Sequence, residues 1–333
     1  MAQTCNTCVL PSYPPDITID SSGLCSVCKA YKKEAPIKFV ESDFVAQVKK
    51  AVRKAKGQYD CLVMCSGGKD STSALHKAVK KYGLRPLAFT FDHGFEDPGA
   101  LANVRRATEI LDVDWLMLKS HFMRDFFAEI ICSGLPVPIC PICSLWYMQL
   151  TYETARVYQV PVIISGWTRG QMNSQPEQSS EESFREFGKM TEQTSKFIQA
   201  MRIKYPKYKD FPLTMEEVIK KYRKIQVISP HWFTQEDPEE YSALIRKELD
   251  WQPIKHSFPR GSVNCRLNFA ASHLAMKAYG YTHYHIEMSR LIRQHELTRA
   301  EALEALQLDI REKPVATMVK EVLDLLGCGD NEL

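Results

Sequence analysis

Along the middle of this chain, short continuous apolar runs alternate with longer stretches in which apolar residues recur every three or four positions. The runs 60–65, 86–92 (Pro-Leu-Ala-Phe-Thr-Phe-Asp), 113–118 and 161–166 (Pro-Val-Ile-Ile-Ser-Gly) predict buried strands, and the stretches near 41–56, 71–82, 98–111, 122–133 and 144–158 predict helices. This order implies an α/β fold, a parallel sheet with helices on both faces, in which ligands bind beyond the carboxyl ends of the strands. Residues 171–182 turn polar and predict a mobile loop over that edge. Helices near 183–204 and 214–223, a strand-like run at 225–229 and a helical carboxyl-terminal region complete the pattern.

Directly behind the first run stands Cys65-Ser66-Gly67-Gly68-Lys69-Asp70-Ser71-Thr72-Ser73. A Gly-Gly turn lets backbone approach a polyanion, and a helix opening at Ser71 aims N–H groups and its positive dipole end at phosphate oxygens. Ser66, Lys69, Asp70 and Ser71 add donors, one positive charge and a contact for Mg²⁺-bound water. The Walker pattern G-x-x-x-x-G-K-[ST] is absent. The string Ser66 to Ser71 resembles instead the pyrophosphate loop (PP-loop) of the adenine-nucleotide alpha-hydrolase-like, HUP-like superfamily. That resemblance implies ATP split between the α and β phosphates, with pyrophosphate held by Ser66, Gly67, Gly68, Lys69, Asp70 and Ser71. Lys69 and Asp70 are also the catalytic candidates within the loop. Asp92 and Gly166, at the ends of later strands, are candidates for the same nucleotide.

A net charge of +3 over 333 residues is too weak to argue for nucleic acid by itself. No apolar stretch is long enough to span a bilayer, and the start lacks a secretory pattern, so a cytoplasmic protein is expected. Eleven cysteines in such a chain point to metal ligands or reactive thiols before disulfides. Cys5-x-x-Cys8 and Cys25-x-x-Cys28 have the spacing of two knuckles closing a four-thiolate Zn²⁺ site, with a short hairpin over 14–23 between them. A module this small depends on its metal to fold. Cys140 and Cys143, placed between two helices, make a third pair, and Cys265 can complete a three-thiolate set. Three thiolates suit a [4Fe–4S] cluster with one open iron; a redox pair, a second zinc site or catalytic thiols are the alternatives. Cys61, Cys65, Cys132 and Cys328 lack paired spacing and read as small buried hydrophobes.

The beginning of the chain, Cys5-Asn6-Thr7-Cys8-Val9-Leu10-Pro11 through Gly23-Leu24-Cys25-Ser26-Val27-Cys28, resembles that of the N-acetyl sugar amidotransferase family. So does the end, Tyr279-Gly280-Tyr281, Ser289-Arg290-Leu291-Ile292-Arg293 and Leu297-Thr298-Arg299-Ala300-Glu301-Ala302. The resemblance implies adenylation of a carbonyl oxygen on an N-acetylated sugar nucleotide, then attack by ammonia from a partner glutaminase. Asp92-His93-Gly94-Phe95 and the three-cysteine set also resemble PP-loop sulfur-transfer enzymes, in which a sulfur donor replaces ammonia and the acceptor is a tRNA base, a nucleotide or a small molecule. Three segments are expected: a zinc-ribbon module at 1–35, the ATP pyrophosphatase domain at 36–235, and a helical substrate or partner region at 236–333. Oligomers are left open, and nothing calls for a membrane. Thr298-x-x-Glu301 reads separately as a helix-starting capping box.

Overall fold

The computed structural model describes residues 3–31, 39–135, 137–168, 188–259 and 264–329. Five strands, β1 (Cys61–Met64), β2 (Pro86–Asp92), β3 (Trp115–Lys119), β4 (Val162–Ile164) and β5 (Gln226–Ile228), form one sheet in the order β3-β2-β1-β4-β5. Every pairing is parallel; Val63 sits opposite Ala88 on one side and Ile164 on the other. All residues of β1 and β2 are buried, because helices cover both sheet faces. The connections run outward in one direction from β1 through β2 to β3 and in the other through β4 to β5. The reversal therefore falls between β1 and β4, where the loops following the two strands leave a crevice.

Helices α1 (Ser26–Ala30), α2 (Glu41–Val52), α3 (Lys69–His76), α4 (Pro98–Leu111), α5 (Arg124–Cys132) and α6 (Ile139–Val157) precede β4. Helix α3 begins at Lys69, two residues before the expected Ser71, and continues in wider turns over Lys77–Lys81. Asp97 caps α4 by accepting from the Gly99 N–H at 2.7 Å, with Pro98 in the first turn, where its missing donor costs nothing. The same physics corrects the placement of the third cysteine pair. Pro141 does not break the chain there, because first-turn N–H groups have no intrahelical partner, and Cys140 and Cys143 lie within the first five residues of α6 rather than between helices. The expected loop at 171–182 lies outside the described residues.

After β5, the helix Pro238–Leu249 packs on α3, and the helices Leu267–Tyr279, His283–Arg293, Arg299–Ala305 and Val315–Leu326 follow. Thr298 and Glu301 form the expected capping box. The amino-terminal module docks on this region: the Tyr13 ring meets Tyr279 and Tyr281 edge-on at 5.5 and 5.7 Å, and Arg299 Nε donates to the carbonyls of Cys5 and Cys8. The expected hairpin is reduced to single bridges, Tyr13 with Ile17 and Ile19 with Cys25. Cys132 and Cys328 are not isolated hydrophobes. They form a disulfide between the end of α5 and the residues after Val315–Leu326, a pairing that a sequence separation of 196 hides from any spacing argument. Among the described residues, no helix is long and apolar enough to cross a membrane.

Candidate functional site

The loop after β1 is held from three sides. Gly67 has φ +79°, and a Cβ there would lie 2.0 Å from the Ala100 carbonyl oxygen, so only glycine lets the turn rest on α4. Its own carbonyl accepts from Asn103 Nδ2 at 3.1 Å and Trp251 Nε1 at 2.9 Å. Ser71 Oγ accepts from the Ser66 N–H at 3.2 Å and donates to the Gly68 carbonyl at 3.2 Å. Asn264 Nδ2 donates to the Ser66 carbonyl at 2.9 Å. Gly68 is the N-cap of α3 and supplies no side-chain cap, which leaves first-turn N–H groups for an anion.

Lys69 and Asp70 open the helix. Lys69 Nζ pairs with Asp70 Oδ2 at 3.0 Å, the Tyr241 hydroxyl donates to Asp70 Oδ1, and His231 Nε2 lies 3.1 Å from the Asp70 carbonyl. From the carboxyl-terminal region, Glu287 is pushed up to about 7 by burial, with Asp70 adding to the effect and Arg290 and Lys69 opposing it.

Two adjoining cavities open above the strand ends. One, of about 230 Å³, is lined by Ser66, Asp70, Ser71, Ser165, Gly166 and Trp167 among others. Ser165 Oγ is buried there with no partner among the described residues, an unused donor and acceptor in a site otherwise suited to phosphate and ribose oxygens. Gly166 does allow a close approach, but by protein: a Cβ would fall 2.5 Å from the N and Cα of Ser71, so its smallness lets the end of β4 meet the start of α3. Asp92 lines neither cavity. Its carboxylate accepts from the Gly94 N–H at 2.7 Å and faces Lys119 at 3.5 Å, shaping the turn that follows β2.

The second cavity, of about 190 Å³, collects Cys140, Cys143 and Cys265 with Cys65 and His93, against apolar walls of Phe91, Ile139, Leu267 and Ala271. Burial pushes the Cys140 and Cys143 thiols up to about 12. Cys265 Sγ lies 3.5 Å from His93 Nε2, which is also 3.1 Å from Glu96 Oε1. Burial opposes a charge on His93, yet Cys265 and Glu96 beside it raise it well above the usual imidazole range. Cys140, Cys143 and Cys265 are not gathered as one tetrahedral Zn²⁺ would gather them, since such an ion draws thiolates to within about 4 Å of each other. Among the described residues, only Cys5, Cys8, Cys25 and Cys28 gather their ligand atoms within 4.8 Å. Backbone N–H groups of Leu10, Cys25 and Cys28 donate to the sulfurs of Cys8, Cys5 and Cys25, which favours the thiolate form a cation needs.

The cavities share Ser66, Glu96, Tyr147 and Cys265. Glu96 and Trp251 carry no signal in the sequence. Only the position of Tyr147, four residues after Cys143 on the same helix face, pointed toward the thiols.

No family model matches this chain. Uncharacterized protein MJ1599 of Methanocaldococcus jannaschii is 26% identical over 163 residues, which are 49% of this chain and 58% of that protein; the match thus spans less than two thirds of it. Among solved structures, the U34-tRNA thiolase NcsA from Methanococcus maripaludis with its [4Fe-4S] cluster superposes with a TM-score of 0.38 at 14% identity, over 94% of this chain and 92% of that one. The NMN synthetase from Francisella tularensis gives 0.31 at 12%, over 73% and 96%. The NH3-dependent NAD synthetase from Campylobacter jejuni gives 0.32 at 13%, over 39% of this chain and 56% of that one.

Proposed function

We propose that this protein uses ATP to adenylate a carbonyl oxygen of its substrate and then replaces that oxygen with sulfur. The carrying observation is the common wall of the two cavities, which puts three thiols one residue layer from the phosphate loop. The substrate oxygen attacks the α phosphorus of ATP, and pyrophosphate leaves into the loop. The first-turn amides of α3, Ser66, Ser71 and Lys69 hold its charge, and Asp70, fixed by Tyr241, orients Lys69 and would be the contact for Mg²⁺-bound water. Hydrosulfide then attacks the activated carbon, AMP departs with the oxygen, and one proton is released. Cys140, Cys143 and Cys265 would hold a [4Fe–4S] cluster, whose open iron supplies a binding place for sulfide. The apolar walls exclude water, which would otherwise hydrolyse the adenylate. The Cys5, Cys8, Cys25 and Cys28 group is read as a structural Zn²⁺ site. The divisions near residues 35 and 235 are kept as the boundaries of module, ATP domain and carboxyl-terminal region.

A second reading keeps the same adenylate and uses ammonia from a partner glutaminase, with an N-acetylated sugar nucleotide as substrate. It is favoured by the docking of the amino-terminal module on the carboxyl-terminal helices, since the two segments that carry the amidotransferase resemblance form one packed unit. Iron, acid-labile sulfide and zinc per chain after anaerobic purification separate the two. Sulfur transfer predicts about four irons, lost in Cys140→Ala/Cys143→Ala/Cys265→Ala. Zinc alone, near one per chain, overturns it in favour of ammonia. In either case Lys69→Ala abolishes substrate-dependent AMP formation while the fold persists, and unchanged turnover would remove the ATP assignment.

A further inference from the structure

Phe95 to Asp97 and Asn264 to Arg266 form a short antiparallel pair. The Asp97 N–H donates to the Asn264 carbonyl at 2.8 Å, the Arg266 N–H to the Phe95 carbonyl at 2.9 Å, and Glu96 and Cys265 bridge between them. Successive side chains of an extended segment point to opposite sides. Asn264 accordingly reaches the phosphate loop, donating to the Ser66 carbonyl at 2.9 Å with its Nδ2 also 3.4 Å from Ser66 Oγ, while the next residue, Cys265, turns its sulfur to His93. The carboxamide also fits closely under the loop, since a Cβ on Gly68 would lie 3.0 Å from Asn264 Nδ2.

We infer that Asn264 is a positioning residue that couples nucleotide occupancy to the thiol cavity. The inference rests on the ATP reading of the loop. A bound triphosphate orders Ser66; Asn264, fastened to Ser66, is ordered with it; and the paired segments carrying Glu96 and Cys265 settle into one arrangement. Without nucleotide, the same segments open more often. Activation chemistry and the thiol site are thereby brought to readiness together, through one side chain. Because linkage is reciprocal, a group bound in the thiol cavity alters nucleotide affinity by the same factor as nucleotide alters the affinity for that group.

Backbone hydrogen exchange on the full chain, resolved at residues 95–97 and 264–266, tests this with α,β-methylene-ATP as the probe, because that analogue resists cleavage at the proposed bond. Neither Asp97 nor Arg266 lines the phosphate cavity, so protection there does not come from direct cover. The wild-type protein should exchange the Asp97 and Arg266 amides at least about fivefold more slowly with the analogue bound, the lower end of ordinary site-to-site coupling. Asn264→Ala should bind the analogue and show less than about a twofold change. Asn264→Leu, which keeps the shape and loses the donor without adding a charge beside the phosphates, should behave the same way and stands in if the alanine variant does not fold. Calorimetry run in parallel separates the failures. Absence of analogue binding to wild-type protein defeats the ATP reading and this inference with it. Binding without slowing, or slowing that survives both substitutions, defeats this inference alone.

Discussion

The indole N–H of Trp251 donates to the carbonyl of Gly67 at 2.9 Å across 184 residues of sequence. With Asn103 Nδ2 on the same oxygen, both lone pairs of that carbonyl are directed into the protein. In a trans peptide the N–H opposes the C=O, so the Gly68 N–H is turned the other way, toward the side where an anion would lie. The tryptophan thus presets one donor of the loop from outside it. Trp251→Phe keeps an aromatic ring and removes the donor. The expected loss is about 1 kcal/mol, or roughly fivefold weaker binding of α,β-methylene-ATP by calorimetry. Unaltered affinity would mean that the loop holds its conformation without this bond.

Gly67 offers a sharper test of the turn, because both its backbone angle and its surroundings demand glycine. Gly67→Ala should cost more than about 2 kcal/mol in urea unfolding, since strain at positive φ adds to overlap with the Ala100 carbonyl. Gly83 provides the control. Its φ is +62° with nothing within 4 Å of an added Cβ, so Gly83→Ala should show only the backbone strain, on the order of 1 kcal/mol. Equal losses at the two positions would contradict the close approach of α4 to the loop.

The four-thiol module should transmit its loss to the carboxyl-terminal helices. Arg299 bonds the carbonyls of Cys5 and Cys8, and the guanidinium of Arg293 lies 5.7 Å from the ring centre of Tyr31. Cys25→Ser, or a chelator that strips the Zn²⁺ proposed for this site, is expected to raise hydrogen exchange in residues 3–31 and also in His283–Arg293 and Arg299–Ala305, with the sheet unaffected. If exchange rises only in residues 3–31, the docking contributes nothing to the helices.

Stability should fall on mild acidification. Burial lowers His285 to about 4, and its Nδ1 accepts the Thr282 N–H at 3.1 Å, a bond that needs an unprotonated ring nitrogen. The unfolded chain binds this proton below about 6.5 and the folded chain only near 4, so the contribution is complete above about pH 6.5 and is lost as the pH drops toward 4. The loss is on the order of 2–3 kcal/mol. His285→Asn should show a smaller drop in urea midpoint between pH 7 and 4.5 than the wild-type chain; parallel curves for the two proteins would exclude His285 as the source.

Local chemistry made much of this protein readable in advance. The apolar run 86–92 is β2 with both ends in place, because a strand buried on two faces leaves a continuous signature. Ser66 to Ser71, the two amino-terminal Cys-x-x-Cys knuckles and the Thr298 box are short strings whose residue types and spacing can be read locally. The start of α6 before Cys140 was not legible, because a proline in a first helical turn and one in a loop look alike in sequence.

What the sequence alone determined was therefore the element order, the parallel sheet and the place of the Gly-Gly turn behind β1, since each follows from periodicity or from contacts a few residues apart. Only the tertiary structure decided that Gly166 serves the close approach of α3, that Asp92 spends its carboxylate on its own turn, that Cys132 meets Cys328, and that Trp251 and Asn264 hold the loop after β1. Those relationships join residues that are far apart along the chain. Their partners are chosen by how helices pack on the sheet, and no local pattern encodes that choice.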